Sequence, residues 1–157
     1  MTFDSKEQRR IMGRFATGVT VCSTKIGDET WGMTANGVTS LSLDPPLVLL
    51  AVAKESQSHG KFKDAGCFAM NILSAEQKEL SDRFAFTGPK DFSGLDYDTA
   101  ETGAPIIQGA IGWVDCKLTE ILPGGDHDIF LGEIVAGGDQ EGEPLLYVNG
   151  GYGKLAT

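Results

Sequence analysis

No apolar run in this sequence approaches the ~18 residues of a membrane-crossing helix. Its first residues, Met1-Thr2-Phe3-Asp4-Ser5-Lys6, hold no apolar signal segment either, so a soluble, cytoplasmic protein is expected. Histidine is scarce, with only His59 and His127, and Cys22, Cys67 and Cys116 are widely spaced without a C-x-x-C. Such a set suits neither a disulfide framework nor a metal site and predicts buried, reduced thiols. Positive charge is also short: 13 Lys and Arg stand against 22 Asp and Glu, for a formal net charge of -9. A nucleic-acid surface, which neutralises phosphates with Lys and Arg, is therefore not expected, although one local basic cluster would suffice for a small anion. P-loop, G-x-G-x-x-G, H-E-x-x-H and G-x-S-x-G signatures are all absent. Redox or transfer chemistry would need an organic cofactor.

What is present reads as one globular domain over residues 1–157, with 41% hydrophobic and 22% charged residues. Ser5-Lys6-Glu7-Gln8 has capping-box spacing and predicts a helix over about Lys6 to Phe15. Strands are expected at Val19–Thr24, about Thr30–Asn36, Leu47–Val52, Phe68–Ile72, about Ile111–Ile121, Ile129–Ala136 and Leu145–Val148. Ser74-Ala75-Glu76-Gln77 is a second capping box, opening a helix to about Phe84. Residues 86–105 show no clear period, and Phe86, Phe92, Leu95 and Tyr97 are their candidate anchors. Six or seven strands, two helices and 21 glycines that fall mostly where turns are expected, without regular βαβ alternation, predict a mainly β fold and a barrel rather than a doubly wound sheet.

Three stretches carry candidate chemistry. Thr34-Ala35-Asn36 and Thr39-Ser40-Leu41-Ser42 set small donors beside a buried strand, which suits the polar edge of a heteroaromatic ring and equally suits a strand edge satisfying its own backbone. Lys54, Ser56 and Ser58, with Lys61, place cations and hydroxyls just after that strand, apt for a phosphate or for a solvated loop feeding a short helix. His127, in Gly124-Gly125-Asp126-His127-Asp128, is either part of a polar hairpin turn or an imidazole over a pocket. Tyr152 either caps a pocket or anchors the C-terminal segment.

In order and spacing these segments resemble the flavin reductase-like family of FMN-binding split-barrel proteins, the reductase components of two-component flavin monooxygenases. The match is most specific at Gly32-Met33-Thr34-Ala35-Asn36 with Thr39-Ser40-Leu41-Ser42-Leu43-Asp44-Pro45-Pro46-Leu47, and Phe68 to Leu73, Leu80-Ser81-Asp82-Arg83-Phe84-Ala85 and Gly125-Asp126-His127 add support. The resemblance implies a homodimeric split β-barrel with a few short helices. It also implies FMN or FAD as the bound flavin, NADH or NADPH as co-substrate, and an oxygenase component as partner. On that analogy Met33, Thr34, Ala35, Asn36, Ser40 and Leu41 line the flavin ring. Ala53, Lys54, Glu55, Ser56 and Ser58, with Lys61, take the phosphate side; Phe84 joins the pocket, and His127, the catalytic candidate, faces the nicotinamide with Tyr152. Gly37 stands where members often carry Ser, and Asn149-Gly150-Gly151 lacks an arginine many have there. Two alternatives share the fold: a tightly bound, non-enzymatic flavin electron carrier, and an interaction module without cofactor, against which the intact Thr/Asn/Ser stretch argues.

Overall fold

The structure is a computed structural model and describes residues 2–85 and 89–156. Phe86, read above as a candidate anchor, lies outside the described residues. Helix α1 is Ser5–Met12, α2 is Gln57–Ala65 and α3 is Lys78–Ala85. The strands are β1 (Thr17–Gly18), β2 (Thr20–Ile26), β3 (Glu29–Ala35), β4 (Val38–Leu43), β5 (Pro46–Ala53) and β6 (Cys67–Ile72). They continue with β7 (Tyr97–Asp98), β8 (Ile106–Ile107), β9 (Gly112–Gly124), β10 (His127–Asp139), β11 (Leu146–Val148) and β12 (Gly151–Gly153).

Seven strands form one antiparallel sheet in the order β3-β2-β6-β9-β10-β5-β4. Its two outermost strands, β3 and β4, are consecutive in the chain and separated only by Asn36 and Gly37. The sheet curls on itself. Cys22 of β2, Leu50 of β5, Phe68 of β6, Cys116 of β9 and Phe130 of β10 share one buried cluster, against which Met33 of β3 and Val38 of β4 also pack. Phe62 of α2 enters the same cluster, so that helix closes one end of the barrel. Each such buried phenyl ring contributes about 2–3 kcal/mol of transfer free energy. Register shifts between Leu131 and Gly132 and between Ile134 and Ala136 supply local bends in the long β9–β10 hairpin. Gly132 is needed where it stands: a Cβ there would lie 2.6 Å from the Phe68 ring.

A second layer covers the outside of β2. Val19, Val21, Leu73, Phe84, Phe92, Ile107 and Leu145 form its cluster, so β2 is buried on both faces. Its polar side chains are matched accordingly: Thr20 Oγ1 donates to the Ala35 carbonyl at 2.7 Å and Thr24 Oγ1 to that of Cys67 at 2.7 Å. Buried Asn71 of β6 donates to the Val21 carbonyl at 3.0 Å and to Ser23 Oγ at 3.1 Å, while its Oδ1 accepts from the Ile107 amide at 2.9 Å. Buried Asp115 accepts from the Glu101 and Thr102 amides, each at 2.9 Å. The aperiodic region expected over 86–105 is thus pinned at its end by two buried side chains.

The expected elements differ from the observed ones in specific ways. Asp4, not Ser5, caps α1, accepting from the Lys6 amide, and the helix stops at Met12, leaving Phe15 outside it. The Gln77 side chain does accept from the Ser74 amide at 3.0 Å, but α3 begins only at Lys78. Three helices are described rather than two, because α2, read as a polar stretch, presents only Ser58 and Phe62 as buried residues. Thr39 to Leu43 forms a strand of its own, and Pro46 begins β5, a first-residue position that proline tolerates. Strands β1 and β12 were not anticipated; both are too short to show a period. All three cysteines are buried and free.

Replacing Asn71 by Ala should leave the Ile107 amide and the Val21 carbonyl without their side-chain partner. A loss of about 2–4 kcal/mol in urea unfolding is expected. An unchanged midpoint would show that the network does not hold the outer layer.

Candidate functional site

Strand alternation on β5 and β10 organises the site. Val48, Leu50 and Val52 are buried toward the barrel core, and Leu47, Leu49, Ala51 and Ala53 take the opposite face. The register pairs Ala53 with His127, Val52 with Asp128 and Leu50 with Phe130. His127 therefore stands on the outer face with Ala51 and Ala53, while Asp128 turns to the core side with Phe130.

A cavity of about 840 Å³ is lined by Met12, Phe15, Asn36, Ser40, Leu49 and Ala51 together with Val48 and Met70 of the barrel core, among others. That volume lies within the ~300–1,000 Å³ range of small-molecule sites. Its floor is made of small groups: a Cβ at Gly37 would meet the Ala51 Cβ at 3.3 Å, and the Ala51 amide donates to the Gly37 carbonyl at 2.9 Å. Ala53 lies one same-face position beyond Ala51, roughly 7 Å along the strand. Ala53 and His127 themselves lie beyond the residues that line the cavity, which include Asn36 and Ser40.

At that end two acid–imidazole pairs flank Lys54. His127 Nδ1 is 2.7 Å from Asp126 Oδ1, and this hydrogen bond, the largest influence, holds the Asp126 carboxyl below its ordinary value. His59 Nε2 is 2.7 Å from Asp128 Oδ2, with the imidazole edge-on to the Phe130 ring at 5.0 Å. Lys54 Nζ lies 3.9 Å from Asp128 Oδ1, and the Lys54 amide donates to the Asp126 carbonyl. Ser56 caps α2 by accepting from the Ser58 amide at 3.1 Å, and Glu55 is exposed in the turn before it.

Other expected site residues have internal partners. Ser58 is buried and accepts from Trp31 Nε1 at 2.8 Å. Lys61 is 2.6 Å from Glu29 and lies over the Trp31 ring. Met33 and Ala35 pack against the barrel core, and Thr34 Oγ1 donates to the Ser81 carbonyl at 2.7 Å. Phe84 is 1% exposed, beside Gly32, where a Cβ would lie 2.7 Å from its ring. Leu41 is exposed at the bulge where the β4–β5 register shifts between Ser40 and Ser42.

Tyr152 lines a separate pocket of about 320 Å³ with Thr34, Ala35, Asn36 and Ser81. Its hydroxyl donates to Asp82 Oδ1 at 3.1 Å and meets Ser81 Oγ at 2.6 Å. Burial is the main cause that raises its phenol pKa, so it stays neutral. The structure thus sets Tyr152 beside Thr34–Asn36, and His127 beside Ala53 and Lys54. Sequence reading did not single out His59 and Asp128 as a pair. The available signal was the strand period, which places Asp128 in phase with Phe130 rather than with His127. Burial pushes the Cys22 and Cys116 thiols up to about 12, so neither serves as a nucleophile.

A cavity with an apolar, small-residue floor, and a cation further along the same sheet, suits a ligand with a flat body and an anionic tail. Comparison with known proteins agrees with that chemistry. The model of the flavin reductase like domain matches residues 12–156. FMN reductase (NADH) SmoA of Agrobacterium fabrum is 38% identical over 153 residues, 98% of this chain and 87% of that protein. The flavin-dependent monooxygenase reductase subunit HsaB of Mycobacterium tuberculosis is 35% identical over 152 residues, 95% of this chain and 81% of that one. The solved structure of Streptomyces globisporus NADH:FAD oxidoreductase SgcE6, in complex with NAD and FAD fragments, is similar with a TM-score of 0.91 and 37% identity, covering 99% of this chain and 97% of that one.

Ser58→Ala should act on the scaffold first, because it leaves the Trp31 indole N–H unpartnered. About 1–3 kcal/mol of stability should be lost in thermal or urea unfolding. Unchanged stability with weakened ligand binding would instead make Ser58 a direct contact.

Proposed function

The chain belongs to the flavin reductase like domain family, and on that premise we propose how its residues serve the reaction. It is an oxidoreductase, an NAD(P)H-dependent flavin reductase that takes FMN or FAD. The observation that carries the residue assignment is the cavity lined by Gly37 and Ala51, with Ala53 and its pairing partner His127 next along the same face of the sheet. A flavin, when bound, accepts the hydride that the nicotinamide gives up. That transfer requires two rings held in contact and no strong acid or base from the protein. Positioning alone is worth several kcal/mol, about 7 in ideal cases.

The division of labour follows from the partners each residue has. Asn36, Ser40 and Leu41, with the backbone of Met33 to Ala35, hold the ring. Lys54 and the capped start of α2 from Ser56 receive the phosphate end, beside Ala53 and Glu55. Phe84, Ser58 and Lys61 act one step back: they fix Gly32, Trp31 and the α2–β3 contact. With Asp126 accepting from Nδ1–H, the neutral imidazole of His127 keeps Nε2 as an acceptor for the carboxamide N–H₂ of a nicotinamide. Tyr152, a neutral phenol already held by Ser81 and Asp82, walls the adjoining pocket.

Two further assignments extend this reading. Ile11, Met12, Phe15, Leu41, Leu43 and Ile72 are all exposed at or near the groove, and Phe15 and Leu43 are 72% and 91% accessible. A second copy of the chain covers that face, giving a homodimer. Reduced flavin passes to an oxygenase component, a reading supported by the name of HsaB as the reductase subunit of a flavin-dependent monooxygenase. No helix of the described residues is long and apolar enough to cross a membrane, and the NAD(P)H supply fits a cytoplasmic setting.

The test is oxidation of NADH or NADPH by the purified protein, with and without added FMN or FAD. Turnover that depends on added flavin is expected. A protein that purifies yellow and oxidises neither nucleotide would instead be an electron carrier. His127→Ala should slow flavin reduction about tenfold or more while leaving flavin affinity within about twofold. Equal losses of both would remove His127 from the nicotinamide side. Leu43→Asp should give monomers in sedimentation, and a persisting dimer would move the interface elsewhere.

A further inference from the structure

Lys54 is a cation already answered. Its Nζ lies 3.9 Å from Asp128 Oδ1, and Asp126 on the other side of His127 also feels its charge. An anion arriving at Lys54 meets two carboxylates as well. Yet Asp128 has a second partner: His59 Nε2 sits 2.7 Å from Oδ2, with both side chains less than one fifth exposed. One carboxylate thus bridges an ammonium and an imidazole, one on each oxygen.

We propose that His59 and Asp128 are positioning residues that set how much of the Lys54 charge is available to the flavin phosphate, according to the protonation of His59. This rests on the reading of Lys54 as the phosphate contact. When His59 is neutral, Asp128 and Lys54 form the main ion pair and the ammonium is largely compensated. When His59 takes a proton, the imidazolium compensates Asp128 at contact distance, and Lys54 turns outward with its charge uncompensated. The step is a proton uptake from solvent by the imidazole; no other bond changes. Binding of a phosphate or pyrophosphate group is therefore tighter at lower pH.

The charged surroundings are few and come from each element that packs there. Strand β10 contributes Asp128, the β9–β10 turn Asp126 and His127, and the end of β5 Lys54, with Glu55 following. On α2, Lys63 lies one turn from His59, and Lys61 is committed to Glu29 at 2.6 Å. With both histidines neutral, Lys54, Asp126 and Asp128 sum to one negative charge; with His59 protonated they are balanced. The Phe130 ring edge at 5.0 Å keeps the imidazole turned toward Asp128 rather than toward water.

The experiment is a fluorescence titration of the intact protein with FAD from pH 8 to 5.5, because the FAD pyrophosphate keeps its charge over that range whereas the terminal phosphate of FMN does not. Riboflavin, which has no phosphate, is the second probe. FAD should bind about tenfold more tightly at pH 5.5 than at pH 8, as expected for a charge change at 3–4 Å contacts, and riboflavin should show no such slope. His59→Gln should abolish the slope, and Asp128→Asn should bind FAD tightly at both pH values. His127→Gln should keep the slope. Thermal midpoints of the variants, all nearly isosteric, report whether each is folded. A slope that persists in folded His59→Gln overturns the proposal, as does one equal for riboflavin. Lys54→Ala separates the two readings. If it weakens FAD while His59→Gln keeps the slope, the phosphate contact stands and the role of His59 falls. If it binds FAD as the parent does, the phosphate contact itself falls.

Discussion

Strand β2 is buried on both faces, and this constraint shapes the outer half of the molecule. A strand with barrel core on one side and a second apolar layer on the other has no water for its polar groups, so each must find a partner within the protein. Thr20, Ser23 and Thr24 do so by donating to backbone carbonyls. Asn71 completes the set by joining β2, β6 and β8 through one amide. Apolar substitutes in these positions would lose the strut to β8, and with it the path of the chain from residue 89 onward. The second layer is therefore fixed in place by hydrogen bonds and filled by Phe84, Phe92 and Leu145.

That layer in turn fixes the site. Phe84 packs on Gly32 so closely that no side chain fits there, and Ser81, three residues earlier, accepts from Thr34 and holds Tyr152. The groove floor is positioned from the other direction, by the β4–β5 pairing and the Ala51–Gly37 hydrogen bond. Asn36 and Gly37 lie where the two systems meet, at the seam between the sheet's outermost strands. A ring placed against them contacts backbone whose position is set twice.

The fold class was legible because the long strands carry a clear period or an unbroken apolar run, as in Leu47–Val52. Elements only faint or absent in that reasoning are the ones whose residues serve something else. Helix α2 looks polar because it seals a barrel end with little more than Phe62 and Ser58, and β12 is only three residues long. The candidate site divides in the same way. His127, Lys54 and Asn36 stood out in the sequence as polar residues in or beside the turns that bound the strands. Ser58 and Lys61 were read as ligand groups because their partners, Trp31 and Glu29, lie on a strand 27 and 32 residues away, and sequence spacing cannot reveal such pairs. His59 and Asp128 escaped notice for the same reason, being 69 residues apart.

The charge pattern fits this chemistry better than it would fit acid–base catalysis. Hydride transfer between two flat rings develops little charge on the protein, so strongly shifted carboxylates or thiols would add nothing. The strongly raised thiols are in fact sealed in the core, and the groove offers neutral amides, hydroxyls and apolar walls. Ionic groups are confined to the rim, where the anionic tail of a nucleotide would lie. In a chain of net charge -9, a single lysine there must be kept from full compensation by its acidic neighbours if it is to attract a phosphate. An imidazole bonded to the nearer carboxylate is a compact way to achieve that, because it changes the local charge without moving any backbone.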